Sequence, residues 1–94
     1  MIRCTVHFSG HVQGVGFRYT ARNIAHGHAL AGYVANLPDR RVEVVLEGDE
    51  AVTRAYLDEL TRAMEGYIKQ TQVDRSPATG EFGDPAPGAL QVRF

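Results

Sequence analysis

This sequence predicts an α+β sandwich of two layers, with elements in the order β-α-β-β-α-β and a short strand at the C-terminal edge. Three observations carry that prediction. Residues 2–9, IRCTVHFS, alternate strictly between apolar and polar, which is the period of a half-buried strand. A glycine-rich break at residues 10–16 then gives way to a helical period from about Phe17. Two further alternating segments flank a PDR turn, and a second apolar stripe at helical spacing follows them.

In the first strand Ile2, Cys4, Val6 and Phe8 point one way, and Arg3, Thr5, His7 and Ser9 the other. Phe17, Ala21, Ile24, Ala25 and His28 share one face of the first helix, and Gly27 is expected to cap its end. Residues 31–37, AGYVANL, form the second strand. After the PDR turn, residues 41–47, RVEVVLE, form the third, with Val42, Val44 and Leu46 on one face. Asp49 is a suitable N-cap for the second helix, whose stripe is Val52, Ala55, Tyr56, Leu60, Ala63 and Met64. Residues 67–73, YIKQTQV, read as a weaker fourth strand. Residues 74–89 hold three prolines and three glycines and read as a loop. Leu90, Val92 and Phe94 then restore alternation in a terminal edge strand.

The order is that of the split β-α-β, or ferredoxin-like, arrangement, with two helices on one face of an antiparallel sheet. The first crossover makes strands one and two parallel, with strand three between them. The ends of strands one and two therefore emerge at one edge of the sheet, and Arg18 and Asn36 are expected to be neighbours there.

Composition bounds the function. The 94 residues are expected to form one domain, 1–94, and 44% of them are apolar, enough for a core at this size. Ten Lys and Arg against eleven Asp and Glu argue against general binding of nucleic acid or of a membrane surface. A sheet that read RNA would present aromatic residues on its central strands, and RVEVVLE offers none. There is no spanning apolar run and no signal pattern. Cys4 is the only cysteine, which rules out an internal disulfide framework. A cytoplasmic monomer is the expectation.

The segment GHVQGVGFR, residues 10–18, carries the chemistry. A glycine turn entering a helix exposes backbone N–H groups with no intrahelical partner, and such a row binds tetrahedral anions. Gly14 and Gly16 permit backbone conformations that a Cβ would oppose, and Arg18 adds a planar fork of donors suited to phosphate oxygens. No Gly-Lys-Ser/Thr ending follows, so this is not a nucleotide P-loop; the dinucleotide-binding glycine spacing is also missing. Taken alone, the residues leave two readings open, a tight strand-to-helix turn or an anion cradle.

GHVQGVGFRYTAR together with GYVANLPDRRVEVVLEG resembles the acylphosphatase family, and the similarity runs through the chain to Phe94. The resemblance implies hydrolysis of the carboxyl–phosphate anhydride of a small acyl phosphate, releasing a carboxylate and inorganic phosphate, with no metal, cofactor or covalent intermediate. It implies that Arg18 binds the phosphate and that Asn36 holds the attacking water. It further implies a backbone cradle formed by His11, Val12, Gln13, Gly14, Val15 and Gly16. A carboxylate leaves readily, so catalysis needs little acid or base; it needs a fixed phosphoryl group, neutralised oxygens and an in-line water. With no evident general base nearby, the substrate's own phosphate oxygen is expected to accept the water's proton. A phosphate-binding module without turnover is the alternative.

Other candidates read as structural. His26 and His28 lie two apart and cannot face one ion from one helix. His7 lies on the polar strand face, and His11 can lend partial positive charge to the loop. Cys4 belongs to the core. Asp39 and Glu43 read as turn and solvent-face residues. The family pattern has glycine where this chain has Arg40, so a type I turn over Pro38 and Asp39 would place Arg40 in a left-handed conformation.

Overall fold

The computed structural model describes residues 1–94. Its elements are β1 (Ile2–Gly10), α1 (Phe17–Ala25), β2 (Ala29–Asn36), β3 (Val42–Gly48), α2 (Glu50–Ala63), β4 (Ile68–Pro77), β5 (Ala86–Pro87) and β6 (Ala89–Arg93). The alternation of β1 sets its two faces. Cys4, Val6 and Phe8 are buried, while the residues between them stay partly exposed. β3 pairs antiparallel with both β1 and β2, with Val44 opposite Val6 on one side and Val34 on the other. It thus fills the gap between the two parallel strands joined by α1. The sheet order is β4-β1-β3-β2-β5, and β6 also pairs with β2.

The last strand differs from its neighbours in direction. β5 meets β2 antiparallel at Ala29 and Leu30, and after Gly88 β6 runs parallel to β2, from Ala31 opposite Ala89 to Ala35 opposite Arg93. The long connection through β3, α2 and β4 makes this parallel pairing feasible. It carries Arg93 and Phe94 to the end of the sheet where β2 finishes at Asn36.

Both helices lie over the face that buries Cys4, Val6 and Phe8. Phe8 meets Phe17 with ring centres 5.1 Å apart. Tyr56 is buried in α2 and donates its hydroxyl to the Ala21 carbonyl of α1 at 2.8 Å. Burial, with the Glu59 charge adding to it, pushes this phenol's pKa well up, as expected of a hydroxyl fixed as a donor in the interior.

Several elements depart from expectation. Tyr56, Leu60 and Met64 define the inner face of α2, and Thr53, three residues before Tyr56, joins them; Ala55 and Ala63 lie off that stripe and are exposed. Thr53 tolerates burial because its hydroxyl donates to the Glu50 carbonyl. Asp49 occupies the N-cap with extended backbone but makes no side-chain capping bond. α1 ends at a right-handed His26, and Gly27 is not in the left-handed region. β4 runs on through Pro77, into the segment expected to be loop, because Asp74 to Pro77 keep pairing with β1. An edge strand accepts proline there.

The remaining loop folds over the outer face of the sheet. Glu47, on β3, is 2% exposed, and its carboxylate accepts from the Thr79 amide and hydroxyl and the Gly80 amide, all within 2.9 Å. Burial works against that charge, yet these bonds and Arg3 hold its pKa below the ordinary range. Phe82 packs edge-on against Tyr33, under the Arg3 guanidinium. No helix is long and apolar enough to cross a membrane.

Candidate active site

The site lies where β1 gives way to α1 and β2 ends. Gly14 and Gly16 take φ of 78° and 77°, left-handed conformations that glycine adopts without steric cost, and they curl the chain into a concave loop. Val12 is buried and Val15 packs against the core cluster, so apolar side chains anchor the loop from below. Gln13 secures it laterally, since its Nε2 donates to the carbonyl oxygens of Leu37 and Arg41, each at 2.9 Å. The loop is thereby fastened to the hairpin between β2 and β3.

The amides of residues 12–16 have no acceptor within the protein. The bonds that bracket them are His11 N–H to the Tyr67 carbonyl at 2.8 Å and Thr20 N–H to the Gly16 carbonyl at 3.0 Å. The first of these removes His11 from the expected cradle, because its amide is committed to Tyr67 and its imidazole is exposed. The others keep their amides free, including Gln13 and Val15, although neither lines the cavity that the loop encloses.

That cavity measures about 120 Å³ and is lined by Val12, Gly14, Gly16, Phe17, Arg18, Tyr19 and Asn36. Arg18 and Asn36, eighteen residues apart in sequence, therefore share one small cavity, as the crossover topology predicts. No carboxylate lines it. Arg18 Nη1 donates to the Arg93 carbonyl at 2.9 Å, and its guanidinium lies 4.7 Å from the centre of the Phe94 ring. A guanidinium has five N–H donors, so this anchoring leaves donors for an anion. The Asn36 side chain makes no hydrogen bond to protein, which leaves both its carbonyl oxygen and its amide available.

The acids of the β2–β3 hairpin are engaged elsewhere. Asp39 accepts from the Arg41 backbone amide at 3.2 Å and from Arg41 Nε at 2.8 Å, and these bonds hold its carboxyl below the usual range. Glu43 accepts from the Tyr33 hydroxyl at 2.6 Å and contacts His7 Nε2 at 2.8 Å on the outer sheet face. Burial opposes its charge, but these two partners keep its pKa low. The Tyr33 phenol rises to about 12, through burial and then its bond to Glu43.

Sequence reasoning missed Tyr19, Arg93 and Phe94. Tyr19 follows Arg18 directly, and its place at the start of the helix could have flagged it. Arg93 and Phe94 reach the site through the parallel pairing of β6, which strand alternation does not reveal. Of the histidines, His28 packs edge-on against Tyr56 and lies 3.5 Å from Glu59, away from the cavity.

A family model described as Acylphosphatase matches residues 4–85. An acylphosphatase of Mycolicibacterium vanbaalenii is 41% identical over 85 residues, which are 90% of this chain and 85% of that protein. Among solved structures, the crystal structure of acylphosphatase from Bacillus subtilis superposes with a TM-score of 0.83 at 26% identity, covering all of both chains. The crystal structure of T. kodakarensis HypF matches at a TM-score of 0.78 and 33% identity; it covers all of this chain but only 12% of that one.

Proposed function

This chain belongs to the acylphosphatase family, and we propose that Arg18 and the free amides of residues 12–16 hold the phosphoryl group while Asn36 positions the attacking water. The enzyme is a hydrolase of acyl phosphates, and it releases a carboxylate and inorganic phosphate. One observation carries the residue assignment: Arg18, Asn36 and the glycine loop line a single cavity of about 120 Å³.

In this reading the phosphoryl oxygens sit against the unbonded amides, where the positive end of α1 favours negative charge. Arg18 neutralises the oxygens that gain charge in the transition state. The Asn36 carbonyl accepts one hydrogen bond from water and sets it in line with the departing carboxylate. The phosphoryl oxygen receives the water's proton, since Asp39 and Glu43 are already bonded to Arg41, and to His7 and Tyr33. The enzyme acts as a cytoplasmic monomer on small-molecule substrates, without metal, nucleic acid or membrane.

The test is hydrolysis of benzoyl phosphate followed by absorbance with EDTA present, with Asn36→Ala alongside. Chelator-resistant turnover that collapses in the variant is expected. Competitive binding of inorganic phosphate with no turnover would make the protein a phosphate-binding module instead.

A further inference from the structure

A second cavity of about 300 Å³ adjoins the first. It is lined by Gly10, His11, Val12, Gln13 and Arg40, and Val12 lines both cavities. No acidic side chain lines this second cavity, while two basic ones do.

Arg40 has φ 74° and is the only non-glycine residue at positive φ. For an L-residue this conformation is strained, because Cβ crowds the following carbonyl oxygen. Nothing in the fold compensates. Its amide closes the turn to the Leu37 carbonyl at 3.1 Å, a bond that glycine would make equally well. Its guanidinium takes part in none of the molecule's ion pairs, and the adjacent Asp39 is held by Arg41 at 2.8 Å. A strained backbone carrying an unpaired cation beside a reaction site points to function rather than stability.

We propose that Arg40, with His11, forms a second anion subsite, and that this enzyme favours acyl phosphates whose acyl group carries a distal carboxylate. The inference rests on the phosphoryl group occupying the Arg18 cavity. The acyl group then passes Val12 into the larger cavity, where the planar fork of Arg40 matches a carboxylate. His11 lines the same cavity, and its imidazole is exposed.

The experiment compares kcat/KM for 4-carboxybenzoyl phosphate and benzoyl phosphate, which differ only in that rigidly placed carboxylate. In the wild-type protein at low salt the ratio should be about 5, the size expected of a solvent-exposed ion pair, and it should shrink at high salt. Arg40→Gln should bring the ratio to about 1, and Arg40→Glu should push it below 1. Circular dichroism checks that both variants remain folded. If both compounds are hydrolysed and the ratio is the same in all three proteins, the second subsite is wrong and the Arg18 assignment survives. If the wild-type protein hydrolyses neither compound, both readings fall together.

Discussion

The Arg18 guanidinium donates to the Arg93 carbonyl oxygen at 2.9 Å, so the cation of the cavity is aimed by the last strand as well as by its own helix. The Phe94 ring, 4.7 Å from the same guanidinium, completes that support. An exposed cation–π contact contributes about 0.5–1 kcal/mol. Phe94→Ala should therefore raise KM for benzoyl phosphate by about 2- to 5-fold and change kcat less, whereas Phe94→Tyr should keep both. Steady-state kinetics on the two variants decides it. Equal loss in both would mean that the aromatic face of residue 94 does not support Arg18.

Arg18 and Asn36 should fail in different ways. Removing a preorganised charged donor costs about 2–4 kcal/mol, or roughly 30- to 1000-fold. Arg18→Ala should lose at least that much in kcat/KM and should also weaken competition by inorganic phosphate. Asn36→Ala should lower kcat and leave phosphate competition nearly intact, because in the proposed role its amide addresses the water and not the phosphoryl oxygens. If Asn36→Ala weakens phosphate binding as much as Arg18→Ala does, the water-positioning role is wrong.

The turn at residues 37–40 makes a stability prediction. The Arg40 amide donates to the Leu37 carbonyl and φ of Arg40 is 74°, as expected from Pro38 and Asp39 in a type I turn. Replacing Arg40 by glycine relieves a strain of about 1 kcal/mol, which in a domain of this size corresponds to about 4–8 °C in Tm. Calorimetry on Arg40→Gly should show that rise. A lower Tm would mean that the guanidinium stabilises the native chain in some way its contacts do not show.

How much of this was legible in the sequence depends on the range of the forces involved. The alternation of β1, the helical period from Phe17 and the turn after Leu37 are local signals, and each element formed where it was read. Arg18 and Asn36 came together because chain order alone requires the crossover. The features that escaped depend on partners distant in sequence. The commitment of the His11 amide to Tyr67, the tie from Gln13 to Leu37 and Arg41, and the support of Arg18 by Arg93 are all of this kind. The extension of β4 to Pro77 came from pairing with β1, which overrode a loop-like composition. Glu47 is the plainest case. Alternation places it on the face opposite Val42, Val44 and Leu46, but the loop that buries it arrives from more than thirty residues downstream.

Glu47 also makes the stability of the fold sensitive to acid. Its pKa in the folded protein lies below the unfolded value of 4.5. Such a carboxyl contributes stability that is present above the unfolded value and is lost as pH falls through the folded one. Glu47→Gln keeps the shape but turns one of the two acceptor oxygens into an amide donor, set against either the Thr79 or the Gly80 N–H, and should cost about 2 kcal/mol at neutral pH. Asp39 and Glu43 also have lowered values, and they contribute the same acid slope to both proteins. The difference between the two therefore isolates Glu47. Urea midpoints measured from pH 7 downward should start well apart and converge once the wild-type carboxyl is protonated, since the wild type then loses the charge that Thr79, Gly80 and Arg3 stabilise. Curves that stay parallel over the whole range would mean that the loop is held by its packing on Tyr33 and Arg3 through Phe82, and not by the buried carboxylate.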